Sequence, residues 1–181
     1  MTSRTDRAKD RQRLRRRGDV VHPVELDALR NAGADRGQPV RQAYLATNEK
    51  LSIRIRITDE RDAALTLKSR TAGTRRQEFE YAIPVEDANE LMALRSGAIV
   101  SKMRYRIACD ILTWEIDVFD GENEGLVIAE VELTDEQQQF ERPAWLGAEV
   151  TALERYYNAS LAERPFKRWD RSETRAFGAV D

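Results

Sequence analysis

Six stretches of this chain alternate apolar and polar residues with a period of two: "KLSIRIRIT" (50–58), "AALTLKSR" (63–70), "RQEFEYAI" (76–83), "IVSKMRYRIA" (99–108), "ILTWEIDVF" (111–119) and "LVIAEVEL" (126–133). In a strand, that period sends alternate side chains to opposite faces. "VRQAYLA" (40–46) reads as a further strand just before them. Short strands separated by turn-like segments such as "TAGT" (71–74) and "DGENEG" (120–125) predict an antiparallel, mainly β architecture. Helices are expected in "HPVELDALRNAG" (22–33), in "PVEDANELMALRSG" (84–97) with Gly97 at its C-cap, at the start of "TDEQQQF" (134–140), and across 149–166. The fold class is therefore α+β, mainly β, with flanking helices.

The polar positions of these strands are sorted by charge. Arg54 and Arg56 share a face, as do Glu78/Glu80, Lys102/Arg104, Glu115/Asp117 and Glu130/Glu132, with Lys68 alone on its strand. A wet outer face gives polar alternation by default. Yet Glu, Asp and Lys are poor strand formers, and ordinary outer faces mix their charges. In a closed barrel with a polar lumen, the same positions would converge on one cavity. Cationic strands would then hold a polyanion and acidic strands a hard divalent cation. From the pattern alone the two readings stand about even.

Composition removes several other classes. The chain has 181 residues, enough for one sizeable domain, and a net charge of only −2 although 34% of its residues are charged. One cysteine, Cys109, forbids an intramolecular disulfide and fits a reducing cytoplasm. One histidine, His22, argues against His-rich zinc sites and His-based triads. No apolar run is long enough to span a bilayer, and no secretory signal is evident. Residues 1–17 carry eight Lys/Arg against two Asp/Glu. Such an arm could touch nucleic acid, but a solvated tail is the simpler reading. The expected division is a basic, poorly defined segment (1–39), a folded domain (40–166) and a polar tail with Trp169 (167–181).

From Arg41 to Pro165 the chain resembles the CYTH superfamily, the triphosphate tunnel metalloenzymes. The matching pieces are "RQAYL", "IRIR", "LTLK", "RQEFEYAIP", "IVSKMRY", "WEIDVFDGENEGL", "AEVEL", "PAWLGAEVT" and "RYYNASLA". Each is weak alone, and their order and spacing together are specific. The resemblance implies an antiparallel closed β-barrel, a triphosphate tunnel. It implies Mg²⁺- or Mn²⁺-dependent hydrolysis of a bound triphosphate, inorganic triphosphate first among the candidates, with a nucleoside triphosphate as the other. By motif match, Arg54, Arg56, Lys68, Lys102 and Arg104 would bind phosphates. Glu130, Glu132, Glu80 and Glu78 would form the acidic, metal-holding side, with Asp117 facing the tunnel. Other branches of the family imply adenylyl cyclase activity as an alternative.

One element of the family pattern is missing. Nothing before Arg41 matches its E-x-E-x-K strand; "VELD" offers Glu25 and Asp27 without the lysine. The catalytic lysine is thus unassigned, the first strand is expected to be missing or replaced, and a binding module without turnover becomes an alternative function. The arginine-rich start, joined to an intact downstream pattern, resembles a frame-shifted N-terminus. Tyr44 reads as a packed strand tyrosine, Trp114 and Trp145 as packing residues, and Cys109 as a small edge residue. Arg106 and Glu115 could lie at the tunnel rim, and Arg155 could close the site or form a surface ion pair. Oligomeric state is open, a homodimer included.

Overall fold

The computed structural model describes residues 15–21, 34–69, 77–133 and 138–175, with the backbone alone for 15–21, 171 and 175. Nine strands form one antiparallel sheet: β1 (Arg15–Val21), β2 (Gln38–Thr47), β3 (Leu51–Thr58), β4 (Asp62–Ser69), β5 (Glu78–Ile83), β6 (Ser96–Cys109), β7 (Leu112–Phe119), β8 (Val127–Leu133) and β9 (Leu146–Glu149). Among the described residues three short α-helices flank it: α1 (Val85–Ala93), α2 (Asn158–Glu163) and α3 (Arg171–Arg175). The strand order is β5-β4-β3-β2-β6-β7-β8-β1-β9.

The sheet is open, which corrects the closed barrel expected from the sequence. Closure would need the two end strands to pair, but β5 and β9 are the edges of the order. The reason lies in β9. It has four residues, and its pairing with β1 shifts register between Asp19 and Val21, so it offers no regular ladder to a further strand. A first strand is present: β1, "RRRGDVV", lies between β8 and β9 without the family's acidic motif.

Register assigns every alternating residue to a face. Ile55, Ile57, Ala43 and Ala63 face away from the charges and bury against Ala88 and Met92 of α1. On the same face of β6–β8, Ile107, Trp114, Ile116, Ala129 and Val131 pack with Trp145 and Phe140. Trp114 meets both of those aromatic rings edge-on. The opposite face carries the charges. At one end it is capped by an apolar cluster in which Val100, Phe119, Leu126 and Ile128 meet Tyr156, Leu161, Ala162 and Trp169.

The C-terminal half departs most from the sequence reading. A single helix is expected over 149–166, but the chain forms a 3₁₀ turn at Glu154–Tyr156 and then only the six residues of α2. Trp169, expected in a polar tail, is buried and stacks edge-on against Tyr156 and Phe166. Gly97 is not a helix cap. The helix ends at Ala93, and Gly97 sits in β6 at φ +77°, where a Cβ would lie 2.4 Å from the Ala162 carbonyl oxygen. "DGENEG" folds as a 3₁₀ turn over Gly121–Asn123. The helix expected at 22–33, the loop at 71–74, His22, Glu25, Asp27 and most of the helix start at 134–140 lie outside the described residues.

Candidate functional site

The charged residues lie on the face that the apolar clusters leave over, and much of it is buried. Exposure of Arg54 is 9%, of Lys102 3%, of Arg104 8% and of Asp117 1%. These values decide against an ordinary solvated outer face, because charged side chains are buried only when paired. Across this face the Glu130 charge on β8 acts on the Tyr44 phenol on β2, three strands away.

On β6 and β7 the charges form a compact cluster. Arg104 and Asp117 are register partners. The guanidinium grips the carboxylate with two bonds, Nε to Oδ1 and Nη2 to Oδ2, both 2.6 Å. Arg104 Nη1 donates to Glu115 Oε2 at 2.6 Å, and Nη2 reaches Glu130 Oε2 at 3.4 Å. Lys102 Nζ donates to Asp117 Oδ2 at 2.5 Å and to Asn158 Oδ1 of α2 at 3.1 Å. Lys102 Nζ also lies 5.1 Å from the Phe119 ring centroid, where the cluster meets the apolar cap. The cations hold the Asp117 carboxyl down to about pKa 2 against a burial penalty that alone would raise it. Arg104 is pushed further above its ordinary range by its three carboxylate neighbours, although burial opposes this.

On β3–β5 the cations are held more loosely. Arg54, Thr66 and Glu80 are aligned across three strands by register. Arg54 Nη2 donates to Thr66 Oγ1 at 3.4 Å, and that hydroxyl donates to Glu80 Oε2 at 3.3 Å. Arg54 Nε is buried and has no hydrogen-bond partner among the described residues. Lys68 Nζ pairs with Glu78 Oε1 at 3.0 Å. Burial, then the charge of Arg54, hold Lys68 below its ordinary pKa, with Glu78 opposing. Arg56 lies on the same face, opposite Gln42 of β2 and Ala64 of β4. Tyr44, opposite Arg54, shares a hydrogen bond with it; burial nonetheless raises the phenol pKa.

The acidic residues do not gather as a group of four. Glu78 and Glu80 lie on the β5 edge, while Glu130 and Glu132 lie on β8, near the other edge. Among the described residues no three His, Cys, Asp or Glu side chains are grouped to hold a metal. Opposite Glu130 and Glu132, β1 places Gly18 and Arg16 rather than acids. Still, Glu130 and Glu132 are hard oxygen donors two residues apart on one strand, and Glu115 is the register partner of Glu130. Mg²⁺ commonly needs only one or two protein carboxylates when a bound phosphate supplies further oxygens, so this donor set fits such an ion.

The rim residues are placed as well. Arg106 is 41% exposed in its side chain and approaches Glu115 at 3.5 Å. Arg155 stacks over Tyr156 and Trp169 at 5.1 and 5.2 Å and lies 4.0 Å from Glu173, so it serves the apolar cap. Sequence reasoning misses Gln42, Thr66 and Asn158. Thr66 shares parity with Lys68, which could have flagged it; Asn158 lies on a helix, where strand alternation carries no information.

A model of the CYTH domain matches residues 20–165. The chain belongs to the CYTH-domain family, the triphosphate tunnel metalloenzymes. It is 42% identical over 135 residues to the inorganic triphosphatase of Acetivibrio thermocellus, covering 74% of this chain and 86% of that protein. It is 38% identical over 128 residues to the inorganic triphosphatase of Nitrosomonas europaea, covering 68% and 83%. A crystal structure of an inorganic triphosphatase superposes with a TM-score of 0.62 at 32% identity, covering 82% of this chain and 96% of that one. A Pyrococcus horikoshii protein shares the fold at a TM-score of 0.51 and 15% identity, covering 67% and 79%. Family membership links this CYTH domain to triphosphate hydrolysis. No helix among its described residues is long and apolar enough to cross a membrane.

Proposed function

We propose that this CYTH domain hydrolyses a triphosphate, inorganic triphosphate first, on the charged face of its open sheet. The observation that carries this reading is the burial of Arg54, Lys102 and Arg104 on one face, opposite the apolar clusters. Arg54, Arg56 and Lys68 bind non-bridging phosphate oxygens; the arginines give forked bonds and Lys68 a point charge. Lys102 and Arg104 extend the positive wall, and Asp117 fixes their direction before substrate arrives. Water adds to the terminal phosphorus, the bridging P–O bond breaks, and orthophosphate and pyrophosphate leave. Glu130 and Glu132 would hold a Mg²⁺ or Mn²⁺ ion, which supplies neutralisation of charge on the phosphoryl group when bound. Glu78 and Glu80 hold Lys68 and, through Thr66, Arg54.

The test is orthophosphate release from tripolyphosphate and from ATP, with Mg²⁺ or Mn²⁺ and with a chelator. Metal-stimulated release that is fastest from tripolyphosphate supports the reading. A second reading draws on β1, where Gly18 and Arg16 stand opposite Glu130 and Glu132. Without carboxylates there, the face could bind triphosphate and leave it intact. Tight binding with no metal-stimulated release would favour that reading.

A further inference from the structure

Gln42 is among the most enclosed polar residues of the charged face. Its exposure is 2%, and its buried amide nitrogen Nε2 has no hydrogen-bond partner among the described residues. Buried side-chain amides nearly always find partners, so an orphaned donor needs a reason. Register puts Gln42 directly opposite Arg56 on β3 and Val100 on β6. Val100 has no polar side-chain atom, and a guanidinium has donors only. The amide oxygen of Gln42 could accept a hydrogen bond from an arginine, whichever way the amide is turned. Its nitrogen still needs an acceptor, and neither cross-strand neighbour has one in its side chain. A group that meets both an amide N–H and a guanidinium must be an acceptor with several lone pairs.

We propose that Gln42 is a substrate-binding residue whose amide nitrogen donates to a phosphate oxygen of the triphosphate, beside Arg56 and close to the apolar cap. This rests on the triphosphate reading above and adds a neutral donor to its charged ones. A neutral amide binds the oxygen without adding to the cation–cation repulsion among Arg54, Arg56 and Lys68; burial first, and then the charges of the two arginines, already lower the pKa of Lys68. It also keeps its donor at every pH at which the protein is folded.

The variant Gln42→Met keeps the length of the side chain and removes the amide. Titration with tripolyphosphate in the presence of a chelator should show affinity falling about tenfold, the value expected for one lost bond to a charged acceptor. In phosphate release, KM should rise and kcat should change little. The ligand-free variant should melt at or above the wild-type temperature, because a buried donor without a partner has been removed. A purely structural role would instead lower melting and leave affinity intact. Equal affinity of Gln42→Met and wild type would overturn the assignment while leaving the triphosphate reading standing. Failure of wild type to bind tripolyphosphate would overturn both. If the variant does not fold, the side-chain amide resonances of Gln42 in the wild type decide: they should move on adding tripolyphosphate, and unmoved resonances would contradict the proposal.

Discussion

Asp117 is the residue on which the cationic wall depends. It takes three hydrogen bonds from Lys102 and Arg104 at 1% exposure. Removing one partner of a buried ion pair leaves uncompensated charge, so Asp117→Asn should cost about 3–5 kcal/mol of stability, read from urea unfolding. The sign of the pH effect follows from its depressed pKa, about 2 in the folded protein. Its stabilisation is fully present above the unfolded carboxyl value near ~4 and is lost as pH falls towards 2. Asp117→Asn should therefore flatten the acid limb of the stability profile over that window. At this scale the sequence was informative where strand parity applied. Arg54, Arg56, Lys68, Lys102, Arg104 and Asp117 all share one face. It could not tell which charges neutralise one another, because Asp117 reads like its neighbour Glu115 until register places it against Arg104.

Among the elements, α2 links the two ends of the account. Asn158 bonds Lys102, and Ala162 presses its carbonyl against Gly97 on β6. Gly97→Ala would be strained by its positive φ and would meet backbone oxygen, so the helix would have to shift. We expect a loss of about 1–3 kcal/mol in thermal or urea unfolding. Strands were readable because a two-residue period is local and six segments repeat it. The C-terminal segment was not, since "ALERYYNASLAE" satisfies a helical pattern while Tyr156 and Leu161 are drawn into the apolar cap. Tertiary burial there overrides local propensity.

In the whole molecule, openness is the main departure from expectation. Each strand was expected to have two neighbours, but among the described residues β5 pairs with β4 alone. Phe79 and Tyr81 of β5 are 40% and 44% exposed. Amides of β5 should therefore exchange with deuterium sooner than those of β6 and β7, which are paired on both sides. Equal protection of β5 and β7 in solution would mean that something covers that edge. Closure was beyond the sequence because it depends on β9, whose four residues carry no alternation of their own. The family resemblance supplied the strand content and the charged face, but the open edges come from this chain's own termini of the sheet.

The central claim is that the buried charged face is where triphosphate is hydrolysed. The most direct measurement is orthophosphate release from tripolyphosphate, with Mg²⁺ or Mn²⁺, by wild type and by Arg54→Ala. Arg54 is buried, and among the described residues it bonds the uncharged Thr66 and Tyr44 and makes no ion pair with the Asp117 cluster, so its loss should leave the fold intact. The account predicts metal-stimulated release by wild type and at least a roughly hundredfold fall in the variant, a typical loss for an electrostatic contact to the reacting group. Unchanged release by Arg54→Ala, at wild-type stability, would contradict it.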